Sequence, residues 1–424
     1  MGFATRQVTL QAAATNTTQD FTSSGFGTPD CAIIITSLGG TSGSWSGHAA
    51  LSFGFYDGTN QRCAGMGVQN GGTPGSSDSN VWKRSAEAVY TRYEGGTLQR
   101  NAAASFVTDG VRLTWTSGSA RPYVTVILLK GLTASLVGHG TPHATQDTST
   151  NITTTGVDPN VILFAGISSA TENTNFTQPR IGLGFAVDNG VSIDQGCKGL
   201  RFLDSDATDG NSEVADNRCC AFTLSTGGSL LPSVECTAMG TDQFSITTRD
   251  AAGSGGFIYL ALETTENVDG FSASTPTSAG DWDPFTVSYE PEWVFMIPTA
   301  AEALNTAYGG SQAVVEGMGL YSANNSGDED GHYIVFENGA SGAGTTFSSS
   351  AHASEFIIAD TNSGAQREII DGNSPTFDGS GIVYADANFN HDATVTKSVG
   401  FAIERVTANS LIWRVTHEGI MNNG

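Results

Sequence analysis

One short segment, written three times, limits what this chain can fold into. Each copy is a proline, two spacer residues of which the first is Asp, Asn or Glu, and an apolar run too short for an ordinary helix. The first is Pro29-Asp30-Cys31-Ala32-Ile33-Ile34-Ile35 and the second Pro159-Asn160-Val161-Ile162-Leu163-Phe164. The third is Pro291-Glu292-Trp293-Val294-Phe295-Met296-Ile297. Proline has no N–H for a ladder, so it suits the first residue of a strand. A β-branched run without polar alternation reads as a strand buried on both faces. The prolines lie 130 and 132 residues apart, which is the length of a domain.

Three further landmarks follow in the same order. Phe53-Gly54-Phe55 corresponds to Leu183-Gly184-Phe185 and to Met318-Gly319-Leu320, where Gly permits a bulge or a close approach of another sheet. Asp109-Gly110 between alternating segments asks for a hairpin with positive φ. Its counterparts are Thr241-Asp242 and Asp378-Gly379. Each unit closes on an apolar strand, at Tyr123 to Leu129, Gly256 to Leu262 and Val399 to Ile403. Opening and closing strands are the most apolar, so they are expected side by side in the centre of a sheet.

The expected fold is all-β, with three tandem antiparallel β-sandwich domains of jelly-roll-like connection related by internal repeat. Residues 1–140 form the first, 141–268 the second and 269–424 the third, each large enough to bury a core of its own. Residues 133–150 and 264–280, polar and without period, read as linkers. Residues 410–415 read as an extra C-terminal strand, and residues 6–11 as its N-terminal equivalent.

Composition narrows the function. With 18 Lys and Arg against 42 Asp and Glu, the net charge of −24 would repel phosphate backbones and anionic membranes. Neither nucleic acid nor membrane is therefore an expected partner. No secretory signal opens the chain and no run of about 20 apolar residues is present. Six cysteines, none in a C-x-x-C and none repeating in position, read as free thiols made in a reducing cytoplasm.

Few residues suggest chemistry. Asp204, Asp206, Asp209 and Glu213, with a glycine at 210, form the one loop with alternating carboxylates that a hard cation such as calcium would take. Its spacing departs from that of an EF-hand, and a solvated acidic loop explains it equally; the Asp328-Glu329-Asp330-Gly331 run is weaker. The seven histidines are scattered through apparent loops. No G-x-S-x-G, P-loop or repeated carboxylate pair is present, so the chain is not expected to be an enzyme or to need a cofactor. Trp45 and Trp82 could stack on sugar rings if exposed, or fill a sandwich core.

The pattern carried by Gly25-Phe26, Pro29-Asp30, Gly54-Phe55, Asp57-Gly58, Phe106, Asp109-Gly110, Leu113 and Tyr123-Val124 resembles β-rich structural proteins of tailed bacteriophages. It covers the first unit well, the second less and the third loosely. The resemblance implies a virion component without enzymatic activity, made in the host cytoplasm, and it transfers no catalytic residue. The expected role is a decoration or appendage subunit on the head or tail exterior, bound to other virion proteins and to copies of itself. The alternative is a carbohydrate-binding adhesin or tail-fibre protein recognising host surface glycans.

Overall fold

A computed structural model describes residues 2–38, 48–69, 79–92, 98–176, 180–202, 210–222, 230–250, 255–274, 282–286, 290–299, 305–308, 314–324, 329–337, 347–353, 361–362, 397–405 and 410–414. Among them there is no helix. The first ten strands are β1 (Ala4–Gln11), β2 (Thr18–Thr22), β3 (Cys31–Ser37), β4 (His48–Tyr56), β5 (Gln61–Gln69), β6 (Ser79–Arg84), β7 (Val89–Arg92), β8 (Leu98–Val107), β9 (Gly110–Gly118) and β10 (Tyr123–Lys130). Then follow β11 (Ala134–Gly140), β12 (Ser149–Thr153), β13 (Val161–Ile167), β14 (Thr174–Phe176), β15 (Arg180–Asp188), β16 (Ile193–Phe202), β17 (Gly210–Ala215), β18 (Cys220–Ala221), β19 (Ser233–Gly240), β20 (Gln243–Arg249) and β21 (Gly256–Glu263). The last are β22 (Asn267–Ser274), β23 (Trp282–Thr286), β24 (Glu290–Thr299), β25 (Thr306–Tyr308), β26 (Val314–Asn324), β27 (Glu329–Glu337), β28 (Phe347–Ala353), β29 (Thr361–Asn362), β30 (Lys397–Arg405) and β31 (Ser410–Arg414).

Three large antiparallel sheets result. The first runs β1-β10-β3-β4-β5-β6-β14 and the second β11-β21-β13-β15-β16-β17-β25. The third runs β22-β30-β24-β26-β27-β28, with β29 beside β26. Two four-stranded sheets, β2-β9-β8-β7 and β12-β20-β19-β18, cover the outer faces of the first and second, and β23 pairs with β31. The apolar opening and closing strands are neighbours in every large sheet, as β3–β10, β13–β21 and β24–β30.

The reason these strands are apolar throughout is that both of their faces are covered. In β3, Ala32 and Ile34 pack outward with Phe21, Val111 and Leu113 of the small sheet. Cys31, Ile33 and Ile35 point the other way, as the period of two demands. On that inner side they join Leu163 and Ala165 of β13, Ile258 and Leu260 of β21, and Trp293, Phe295 and Ile297 of β24 in one cluster. The three large sheets therefore share a core. This corrects the expectation that each unit would close a core by itself: the first and second have an outer core each, and all three meet within.

The repeated prolines have a common use in the first two copies. Pro29 and Pro159 are buried just before β3 and β13, and the next residue fastens the end of the closing strand. Asp30 Oδ2 accepts from the N–H groups of Gly131 and Leu132 at 2.7 and 3.0 Å. Asn160 Oδ1 accepts from the Thr264 N–H at 3.0 Å. Pro291 instead lies inside β24, where the register shifts between Pro291 and Trp293. The repeated glycine is explained by close approach: a Cβ on Gly54 would sit 2.0 Å from the Ala88 carbonyl oxygen, and one on Gly184 would sit 2.2 Å from that of Cys219. The carbonyls lead into β7 and β18, an edge strand of each small sheet, so the glycines let that sheet dock. Asp109 and Asp242 hold the expected positive φ, at 66° and 57°; Asp378 lies outside the described residues.

The two stretches expected to be linkers are in large part strands. β11 pairs with β21 along its whole length, and β22 with β30, so both are sheet edges. The expected C-terminal strand is β31, paired with β23, whereas β1 pairs with β10. One pair of cysteines also repeats in place: Cys63 faces Gly54 across β4–β5, and Cys197 faces Gly184 across β15–β16. All six thiols are buried and unpaired, and burial pushes each of them up.

Candidate functional site

The residues singled out for binding do not assemble into a site. Asp204, Asp206, Asp209 and Trp45 lie outside the described residues. Glu213 is on β17, where its carboxylate accepts the Leu230 N–H at 2.8 Å and burial pushes it up. Among the described residues no group of three or more His, Cys, Asp or Glu is placed to hold a metal ion. Trp82 on β6 is 0 % exposed, its ring 5.5 Å from that of Tyr90. A sugar cannot stack on a ring with no open face, so Trp82 is a core residue. Trp115, also buried, lies beneath the Arg100 guanidinium and donates to Gln19 at 3.1 Å.

Two polar clusters of the described chain lie where the large sheets meet. Between the first and second, β14 adds to the edge strand β6 through Thr174↔Lys83, Asn175↔Trp82 and Phe176↔Val81. Arg62 pairs there with Glu172, and His139 Nδ1 lies 3.6 Å from the same carboxylate. Burial, then the Arg62 charge, hold His139 below its ordinary value. Lys83 donates to the Ala170 carbonyl at 3.1 Å, and burial pushes it down to about 8.

The seam between the first and third sheets is built differently. His332 on β27 and His352 on β28 are directly opposed cross-strand partners, which sets their rings 4.9 Å apart. Thr9 and Thr125 are opposed in the same way on β1 and β10, with hydroxyls 2.7 Å apart. His332 reaches across the seam at both ring nitrogens, Nδ1 to Ser37 Oγ at 2.7 Å and Nε2 to Thr125 Oγ1 at 2.8 Å. Thr9 also bonds the Asp330 carboxylate, whose other oxygen bonds His352 Nε2. Tyr123 stacks on His352 with centroids 4.8 Å apart and planes 14° apart.

These contacts fix the direction of every proton. A carboxylate only accepts, so the single Thr9 proton goes to Asp330 and Thr9 must accept from Thr125. Thr125 has then spent its proton and can only accept the N–H of His332 Nε2. His332 therefore carries a proton at Nε2, and as a neutral imidazole it takes the Ser37 hydroxyl proton at Nδ1. Burial, with His352 beside it, holds His332 well below its ordinary value. His332 is 0 % and His352 4 % exposed, and His352 Nδ1 has no hydrogen-bond partner. Both rings are closed to solvent, and their contacts join the first and third sheets.

Sequence reasoning placed these histidines in loops and took Asp330 for part of an acidic turn; all three are on strands. A signal was present, since His332 directly precedes the apolar run Tyr333-Ile334-Val335-Phe336. Comparison with known proteins adds no relative, because no family model, no curated protein and no solved structure matches the chain.

Proposed function

We propose that this chain is a non-enzymatic structural subunit of a phage virion, exposed on the head or tail exterior as a decoration or appendage. It consists of three tandem β-sandwiches, residues 1–140, 141–268 and 269–424, descended from one repeated unit. Its partners are other virion proteins and further copies of itself.

The observation that carries this reading is the sheet order. Without the short added strands β14 and β25, the first two large sheets read β1-β10-β3-β4-β5-β6 and β11-β21-β13-β15-β16-β17, the same connection in the same sequence. The third reads β22-β30-β24-β26-β27-β28 in parallel. Three copies of a sheet tied through one core give a rigid block whose loops are free to differ, which suits a scaffold. The resemblance to phage structural proteins and the strongly acidic surface, which keeps crowded copies soluble, point the same way. Labelled antibody on purified particles, viewed by negative stain, tests the proposal. Decoration of the particle is expected, and absence from it overturns the reading.

A further inference from the structure

We propose that the histidine pair His332 and His352 is an acid-operated latch between the first and third large sheets, so that protons loosen this seam more than the rest of the molecule. The inference rests on the seam's geometry and not on the virion reading.

Protonating His332 disturbs the present hydrogen bonds. Its second proton must be placed on Nδ1, where the Ser37 hydroxyl now donates, so that bond is lost until the hydroxyl turns round. On the other side Thr125, its proton committed to Thr9 and through it to Asp330, accepts the Nε2 N–H in either state and so gains no new bond. Among the described residues the titratable groups facing the pair are Asp330 from β27 and Tyr123 from β10, with Glu292 farther along the seam, where it accepts the Thr5 N–H. Asp330 is already bonded to His352. A proton on His332 would therefore bury a charge 4.9 Å from the His352 ring, with the one carboxylate nearby, Asp330, already bonded to His352 and Thr9. Opening the seam restores water to both rings.

The sign follows from linkage. His332 holds fewer protons when buried than when exposed, so the closed seam is fully favoured above the exposed-imidazole value of about 6.5 and weakens as pH falls below it. One proton per opening event gives a tenfold rise in the open population for each pH unit below about 6.5, or about 30-fold between pH 7.5 and 5.0. The seam between the first and second sheets shares the sign but in smaller measure, because His139 is half exposed and lies 3.6 Å from the Glu172 carboxylate.

Hydrogen exchange of the full chain, corrected for the intrinsic pH dependence of the amides, reads this out segment by segment. Between pH 7.5 and 5.0, peptides from β1, β27 and β28 are expected to lose about 30-fold in protection. Peptides from β6, β13 and β21 should lose clearly less. In His332→Gln, whose amide can accept from Ser37 and donate to Thr125, the loss should shrink to below threefold. Unchanged protection in wild type, equal loss in all segments, or an undiminished loss in His332→Gln each overturns the proposal. Should His332→Gln not fold, the slope and segment pattern of the wild-type titration decide alone.

Discussion

A methyl group added at Gly54 is the sharpest perturbation of the way the small sheet docks. Its Cβ would lie 2.0 Å from the Ala88 carbonyl oxygen and 3.3 Å from the Cys63 Cβ. An unstrained contact needs more than about 3.4 Å, so the backbone entering β7 must retreat by about 1 Å or more. Backbone cannot swing aside as a flexible side chain does, and overpacking of a tight core costs about 1–3 kcal/mol, sometimes more. We therefore expect Gly54→Ala to destabilise by about 3 kcal/mol, and Gly184→Ala, 2.2 Å from the Cys219 carbonyl oxygen, to match it. Two controls separate crowding from backbone conformation. Gly240→Ala meets nothing within 4 Å and should stay within about 0.5 kcal/mol of wild type or be slightly stabilised. Gly25→Ala also meets nothing, but its φ of +79° is left-handed, so it should lose about 1–2 kcal/mol from conformation alone. Urea unfolding followed by tryptophan fluorescence gives the four values. A Gly54→Ala protein as stable as Gly240→Ala would refute the docking argument.

Two further predictions follow the same contacts. Asp30→Ala strands the half-buried N–H groups of Gly131 and Leu132 and should cost about 1–2 kcal/mol in urea unfolding, whereas Asp30→Asn, the residue the chain uses at 160, should cost less than about 1; equal losses would remove the fastening role. Lys83, depressed to about 8, binds its proton less readily folded than unfolded, so stability should rise with pH between about 8 and 10.4, by at most about 3 kcal/mol. Lys83→Met should abolish that rise in urea midpoints taken at pH 7.5, 9 and 10, and parallel profiles for the two proteins would contradict it.

Much of the sheet arrangement was legible in the sequence because unbroken apolar runs such as Ile33 to Ile35 imply cover on both faces. What covers the second face was not, since an inward-pointing Ile33 looks the same whether it meets its own unit or β13 and β24. The strand β11 escaped notice for a different reason. As a sheet edge of middling burial it carries Ser, Gly and His, and its pattern is too weak to separate from a loop. The shared cysteine position was hidden by loop length: Cys63 lies nine residues past Gly54 and Cys197 thirteen past Gly184, because the second hairpin is longer. The histidine cluster was illegible as a unit, since His332 finds its partners Thr125 and Ser37 207 and 295 residues away.

The claim on which most depends is that distant parts of the chain share one inner core. Phe53 of β4 and Phe295 of β24 stack there with centroids 5.7 Å apart and planes at 25°. A double-mutant cycle with Phe53→Leu and Phe295→Leu in urea unfolding measures that contact directly. Coupling of about 0.5–1.5 kcal/mol is expected for rings so placed. Losses that add within about 0.3 kcal/mol would mean that the two sheets do not meet, and the common core would have to be abandoned.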